Sequence, residues 1–452
     1  MTFGKILRDH GKAYVDDEAN CHQVRNTLRR LATCRTRLMG GRVIRCLHCG
    51  DEQHFYNSCG DRHCPACGGA RRARWLEARR AEQLPTGYFH VVFTVPHELS
   101  VLMMGNRKVL YDLLMSTAWQ TLSQLGADEK YLHAQLGAIA VLHTWGQQLE
   151  HHPHVHMIVP GGGLSLDGER WIASRPNFLL PVKVLGKLFR GKFLAGLQAA
   201  NAAGELSFAG GTAALAEPRE FQTLLNRLYA KDWVVYAKEP FHNPETMLKY
   251  LAGYTHRVAL SNHRLSNYDG HSVSLSYKDY ADGCNRKELR LSAAEMIRRF
   301  SLHIVPKGFV RIRHFGILSH RDRGKRLQKC RELLTKPNES TPLPTVPLLT
   351  EPLLTVVPPG ALPAEKPTSV PRGSLSMATV LVVAALATPT ALSSVVGAPP
   401  LSPLPLSVPI VTERASLLPP CPKCGGVEFT TPWQGARPVG RRWQEVQPWN
   451  TS

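Results

Sequence analysis

Three groups of residues in this chain have types and spacings suited to chemistry. The first is HHPHVHMIVPGGG, residues 151–163, which packs four histidines into six positions. In an extended strand alternate side chains share a face. His154 and His156 then point together, with Ile158 beyond them, while Val155, Met157 and Val159 point into a core. Two imidazoles on one strand face can hold a divalent cation. A solvated histidine cluster at a strand start fits the same spacing. Pro153 separates His152 from this strand and leaves it outside such a metal shell, and His151 is a bystander with it. The second group is cysteine. CLHCG supplies Cys46 and Cys49, HCPACGG supplies His63, Cys64 and Cys67, and Cys59 lies between the two. Two C-x-x-C knuckles around a short loop predict one tetrahedral structural zinc on Cys46, Cys49, Cys64 and Cys67. Cys59 and His63 are alternates, or members of a second site. A late CPKC, Cys421 and Cys424, has no second pair downstream and is half a site. The third group is Tyr250 and Tyr254, which share one helix face at i and i+4. Amphipathic packing accounts for such a pair when it stands alone. Combined with the histidine pair it describes phosphoryl transfer. A cation on His154 and His156 polarises a scissile phosphate, and a tyrosine oxygen attacks in line, leaving a 5′-phosphotyrosine bond and a free 3′-hydroxyl.

Positioning these groups requires strands and helices in a definite order. YFHVVFTVP reads as a buried strand closed by Pro96; AIAVLHTWG, HVHMIVP, WVVYAKEP, HSVSLSYKD and GFVRIRHFGIL read as further strands. Helical patterns lie between them, in KVLYDLLMSTAWQTLSQLG, PVKVLGKLFRGKFLAGLQAA, PREFQTLLNRLYAK and AAEMIRRFSLHI. NPETMLKYLAGY begins like a helix, with Asn243 as cap and Pro244 in the first turn. PGGG reads as the turn that ends the histidine strand. This mixture predicts an α+β domain over about residues 86–330, preceded by a small zinc-binding, DNA-contacting domain over 1–85. From about Pro337 to Pro420 the chain carries about half of its 33 prolines and reads as a flexible, disordered linker over 331–420. A short tail, 421–452, follows.

Composition narrows the partners. The chain has 55 Lys and Arg against 35 Asp and Glu, a formal charge of +20, which suits a polyanion such as nucleic acid. The helix after the cysteine cluster carries Arg71, Arg72 and Arg74. Arg257 and Arg264 follow the tyrosines, and Arg311 and Arg313 alternate along a later strand. All are candidates for phosphate contact; a solvated basic face is the plain alternative. The N-terminal residues lack a secretory apolar core, and Met377–Ala387 is too short to span a bilayer. The expectation is a cytoplasmic, nucleoid-associated protein without a membrane partner. Eleven cysteines in that setting argue for metal rather than disulfides.

At this point YNSCGDRHCPACGG, YFHVVFTVPHEL, HTWGQQLEHHPHVHMIVPGGGLS, YLAGYTHRVALSNHRL and LHIVPKGFVRIRHFGILSHRDRGK, in that order, carry a resemblance over about residues 10–330. The chain resembles the rolling-circle insertion-sequence transposases, the two-tyrosine branch of the His-hydrophobic-His (HUH) endonuclease superfamily. The resemblance implies an antiparallel-sheet HUH domain after a zinc-binding domain. It implies structural Zn²⁺, catalytic Mg²⁺ or Mn²⁺, and single-stranded DNA at transposon ends and target site as substrate. His154 and His156 carry over as metal ligands, and Tyr250 and Tyr254 as nucleophiles. The third ligand is not fixed by the motif; Gln148 is preferred, with His143 and Glu150 as alternatives. A rolling-circle replication initiator shares this chemistry, and an inactive zinc-containing DNA-binding protein is the alternative from another class. A zinc hydrolase lacks an HExxH helix here and leaves the tyrosines without a role.

Overall fold

The computed structural model describes residues 1–241, 246–248, 250, 258–335, 421–425 and 429–434. Tyr254, Arg257, most of the Pro-rich segment and the last residues of the tail lie outside these. The centre is a five-stranded antiparallel sheet in the order Ile312–Gly316, Gly137–Trp145, His151–Pro160, Tyr88–Thr94, Val235–Phe241. Each falls in a segment whose β-branched and aromatic residues predict a strand. The histidine strand is central, so both of its edges are paired.

One face carries Val155, Met157 and Val159 with Phe89, Val91 and Phe93 on one side and Ala138, Ala140 and Leu142 on the other. Helices Arg107–Ala127 and Val182–Ala202 press Leu110, Leu114, Phe189 and Phe193 onto it. Each such side chain contributes about 1.5–3 kcal/mol by leaving water. The opposite face divides lengthwise. At one end Tyr88, Ile139, Val141 and Ile158 pack with Met247, Leu248, Ile317 and Leu327. At the other end stand the histidines.

PGGG is not a terminating turn. After a bend at Gly161 the chain re-enters a strand, Gly162–Ser165, between Ala134–Gln135 and Trp171–Ala173. A Cβ on Gly163 would lie 2.4 Å from the Gln135 carbonyl oxygen, so backbone approach demands glycine there.

The described residues form two compact units. The first takes in residues 1–42 and 54–335 where described; the second combines Val43–Gln53 with the described residues of 421–433. In the first unit, helices Phe3–Asp16 and His22–Ala32 share a core with Ala293–Ser301: Phe3, Ile6, Leu28 and Leu31 meet Ile297 and Phe300. Phe3 and Phe300 have ring centroids 4.4 Å apart. Cys59 and Cys64 are buried in that core. The second unit contains the tip of the hairpin made by Gly41–Cys46 and Glu52–Tyr56; strand Phe429–Gln434 lies beside Gly41–Cys46 in the same sheet.

Candidate active site

The antiparallel register sets His143 directly opposite His154 and Val92 opposite His156. His143, His154 and His156 therefore share one face, with a ring nitrogen of each within 4.8 Å of the others. His143, one of the alternatives for the third ligand, is the donor that converges with the pair. Gln148 lies in the turn after the Gly137–Trp145 strand has ended, and its carbonyl accepts from Arg299 Nη1 at 2.9 Å. Gln148 and Glu150 line the same cavity; Glu150 is not among the converging donors.

The donor set fits a divalent cation. His154 Nδ1 lies 2.7 Å from the His152 carbonyl oxygen, so it carries the proton and leaves Nε2 to ligate. His156 Nδ1 is 2.8 Å from His90 Nε2, an outer partner of the same kind. Burial drives His154 down to about 3 and His90 to about 4, and holds His156 well below the usual imidazole range. All three are thus neutral and available near pH 7. His90 has no motif of its own in the sequence; it meets His156 only because their strands pair in the sheet.

These side chains open into a cavity of about 840 Å³, also lined by Tyr250, Lys238, Lys278, Arg298 and Arg299. Tyr250 is half-buried, its ring centroid 5.1 Å from that of His90 and 5.3 Å from that of Phe241. The edge strand Val235–Phe241 leads directly toward it. Ser292 caps the helix Ala293–Ser301 by accepting from the Glu295 amide, and Arg298 and Arg299 follow on that helix. Their ion pairs with Glu295 hold its carboxyl down to about 2. Arg298, Arg299, Lys238 and Lys278 were not singled out from sequence; they come from three elements that no linear motif connects.

His151 and His152 divide. His151 faces the apolar side, with Ser100 Oγ 2.7 Å from Nδ1 and Tyr111 Oη 2.9 Å from Nε2. It is buried, with both ring nitrogens beside those hydroxyls, and it is among the residues that line the cavity. His303 is buried likewise, beside Thr144 Oγ1 and the Leu149 carbonyl. Burial pushes both rings down to about 3. Folded, they stay neutral to about that pH, whereas the unfolded chain takes up protons below about 6.5. Stability is full above that value and falls as pH drops toward 3, by about 1.4 kcal/mol per pH unit for each ring. Urea unfolding should show the pair contributing a loss of about 3 kcal/mol between about pH 6.5 and about pH 5. An unfolding midpoint that does not move over that range would contradict the assignment.

The basic candidates also separate. Arg72 and Arg74 are exposed on helix Gly68–Arg80, which begins directly after Cys67; the Arg71 side chain lies outside the description. Arg264 directs its guanidinium to the carbonyls of Ser276, Ala259 and Gln147, bracing the turn beside the cavity. Arg311 is buried, over the Trp145 ring at 5.7 Å, and desolvation lowers it to about 9. It is not a surface contact for DNA. Arg313 pairs with Asp112.

The cysteines do not assemble as their spacing predicts. Cys64 and Cys67 converge with Cys34 and Cys59, while Cys46 and Cys49 converge with Cys421 and Cys424. The hairpin explains the split: Cys46 and Cys49 sit at its turn, Cys34 and Cys59 beyond its two ends. In the first cluster Cys34 Sγ lies 3.4 Å from Cys67 Sγ and 3.5 Å from Cys64 Sγ, and Cys59 Sγ lies 3.6 Å from Cys67 Sγ. A zinc tetrahedron with 2.3 Å bonds has edges of roughly 3.8 Å. Thiol contacts from Cys34 drive Cys67 down and Cys59 up, the behaviour of sulfurs that cannot all ionise without a cation. His63 is not in the cluster. Its Nδ1 donates to Asp61 at 2.8 Å and its Nε2 accepts from the Val305 amide at 3.3 Å.

Residues 6–95 match the model of a transposase zinc-binding domain, and residues 137–326 match that of a putative transposase. A putative transposase of Sinorhizobium fredii is 46% identical over 330 residues, covering 73% of this chain and 83% of that one. The transposase for insertion sequence element IS801 of Pseudomonas savastanoi pv. phaseolicola is 27% identical over 335 residues, covering 71% and 75%. No solved structure gives a significant match. Among the described residues no helix is long and apolar enough to cross a membrane. With the zinc-binding domain ahead of the transposase region in one chain, and with relatives of that name matched over most of their length, this protein belongs to the IS91/IS801 family of insertion-sequence transposases.

Proposed function

We propose that this transposase nicks and rejoins single-stranded DNA by HUH-type rolling-circle chemistry, through a covalent 5′-phosphotyrosine on Tyr250 and Tyr254. The observation that carries the reading is that Tyr250, the three-histidine cluster and five Lys or Arg side chains line one cavity. His143, His154 and His156 would hold the cation, which when bound supplies Lewis-acid polarisation of the phosphate. An all-nitrogen set suits Mn²⁺ better than Mg²⁺, which prefers oxygen. Lys238, Lys278, Arg298 and Arg299 orient the phosphodiester and offset its charge. The tyrosine oxygen bonds to phosphorus as the bond to the 3′ oxygen breaks, and a 3′-hydroxyl is released. Phosphodiester energy is kept, so another 3′-hydroxyl can reverse the step on a new strand. Arg72 and Arg74 extend the phosphate-binding surface from the zinc-binding region, where Cys34, Cys59, Cys64 and Cys67 hold structural zinc.

The test is incubation with an end-labelled single-stranded oligonucleotide from the element's ends and Mn²⁺ or Mg²⁺. An adduct that survives denaturing electrophoresis is expected, and cleavage without any adduct would overturn the mechanism. His90 enters as a positioning residue through His156. His90→Phe should weaken Mn²⁺ binding by about 10–100-fold. The cleavage rate should recover at saturating Mn²⁺ if His90 acts only through His156; a rate that stays low would place it elsewhere in the chemistry.

A further inference from the structure

We propose that Cys46, Cys49, Cys421 and Cys424 form a second tetrathiolate zinc site, which clamps the C-terminal segment onto the zinc-knuckle hairpin. The four sulfurs lie within 4.8 Å of one another. Cys46 Sγ is 3.7 Å from Cys424 Sγ, and Cys49 Sγ is 3.7 Å from Cys421 Sγ. Those separations are too long for a disulfide and close to the roughly 3.8 Å edge of a zinc–sulfur tetrahedron. Each half is a built knuckle. The Gly50 amide donates to the Cys46 carbonyl at 2.9 Å, and the Gly425 amide to the Cys421 carbonyl at 2.8 Å. Both glycines have positive φ, +72° and +75°, as the tight turn of a zinc knuckle requires. The two halves thus share one local fold, and each supplies the pair that the other lacks.

A second observation is independent of the sulfurs. Strand Phe429–Gln434 lies beside Gly41–Cys46, so the backbone after the late knuckle continues the sheet that carries the early one. Cys421 and Cys424 lie beyond residues 6–95, the reach of the zinc-binding domain model, and nothing in that match supplies them. Four thiolates and no imidazole or carboxylate select Zn²⁺ among abundant divalent ions. The site is of the closed, structural type, with no open position for a substrate. Its consequence is topological: it ties together residues 378 apart in sequence.

Zinc content of the full chain tests this. Wild type is expected to bind two zinc ions per chain. Cys421→Ser with Cys424→Ser should leave one, and Cys46→Ser with Cys49→Ser should leave the same one. All four changes together should still leave one, whereas Cys64→Ser added to either pair should leave none. One zinc in wild type, or a loss on changing Cys46 but none on changing Cys424, would overturn the proposal. Because variants can misfold, a protease site inserted between Pro337 and Pro420 of the otherwise wild-type chain gives a second readout. After cutting, the C-terminal fragment should co-elute with the remainder and separate when a chelator is added. Separation without chelator would likewise overturn the clamp. Neither readout involves DNA cleavage, so failure here is distinguishable from failure of the strand-transfer mechanism.

Discussion

Replacing Tyr250 and Tyr254 together by phenylalanine is expected to cut covalent adduct formation by on the order of 10⁴-fold or more, since loss of a nucleophile removes the reaction path itself. The change deletes only hydroxyls. The Tyr250 ring contacts with His90 and Phe241 are kept, so the thermal midpoint should hardly move. His154→Ala should also suppress the adduct, but for another reason: it removes a donor opposite His143. The two variants separate by binding: the tyrosine variant keeps its Mn²⁺ affinity and the histidine variant loses it. The single Tyr250→Phe and Tyr254→Phe proteins then report which oxygen acts on a given strand. An adduct that survives in the double variant would remove the tyrosines from the mechanism.

The second large effect concerns the third ligand. His143→Ala should weaken Mn²⁺ binding by more than the about 10–100-fold typical of an outer-shell change, while Gln148→Ala should leave binding close to wild type. The difference follows from register. His143 stands across from His154 on the same face of adjacent strands, whereas Gln148 belongs to the connecting turn. Calorimetric titration with Mn²⁺ measures both. The reverse order of effects would return Gln148 to the cluster and make His143 a neighbour only.

The central strand was legible because its chemistry and its packing use the same period. Alternation along His154–Val159 separates ligands from core with no further information, and the observed faces follow it. For the third position the sequence offered Gln148, His143 and Glu150 without deciding among them: which side chain stands beside His154 depends on which residue of a neighbouring strand falls opposite it. Register is a pairwise property of two strands and a bulge between His143 and Trp145, absent from either segment alone. The same holds for the arginines. Arg264 and Arg311 read as phosphate contacts by charge, but their partners are carbonyls and an aromatic ring brought from distant segments. For the cysteines, the short loop between two C-x-x-C pairs suggested that Cys46 and Cys49 join Cys64 and Cys67, but proximity in sequence does not decide which pairs meet in space. Cys34 lacks a knuckle altogether, and its place beside Cys59, Cys64 and Cys67 comes from the helix His22–Ala32 that precedes it.

The sequence separation of the two cysteine clusters also sets a clock for synthesis. Cys34 to Cys67 leave the ribosome close together, so that cluster has all its sulfurs early. Cys46 must wait 378 residues for Cys424. At ordinary elongation rates that is roughly 20–80 s during which the early pair stands unmatched. A chain that stops short of Cys421 never ends this wait, so the state of the hairpin thiols becomes a record of whether synthesis has passed Cys424.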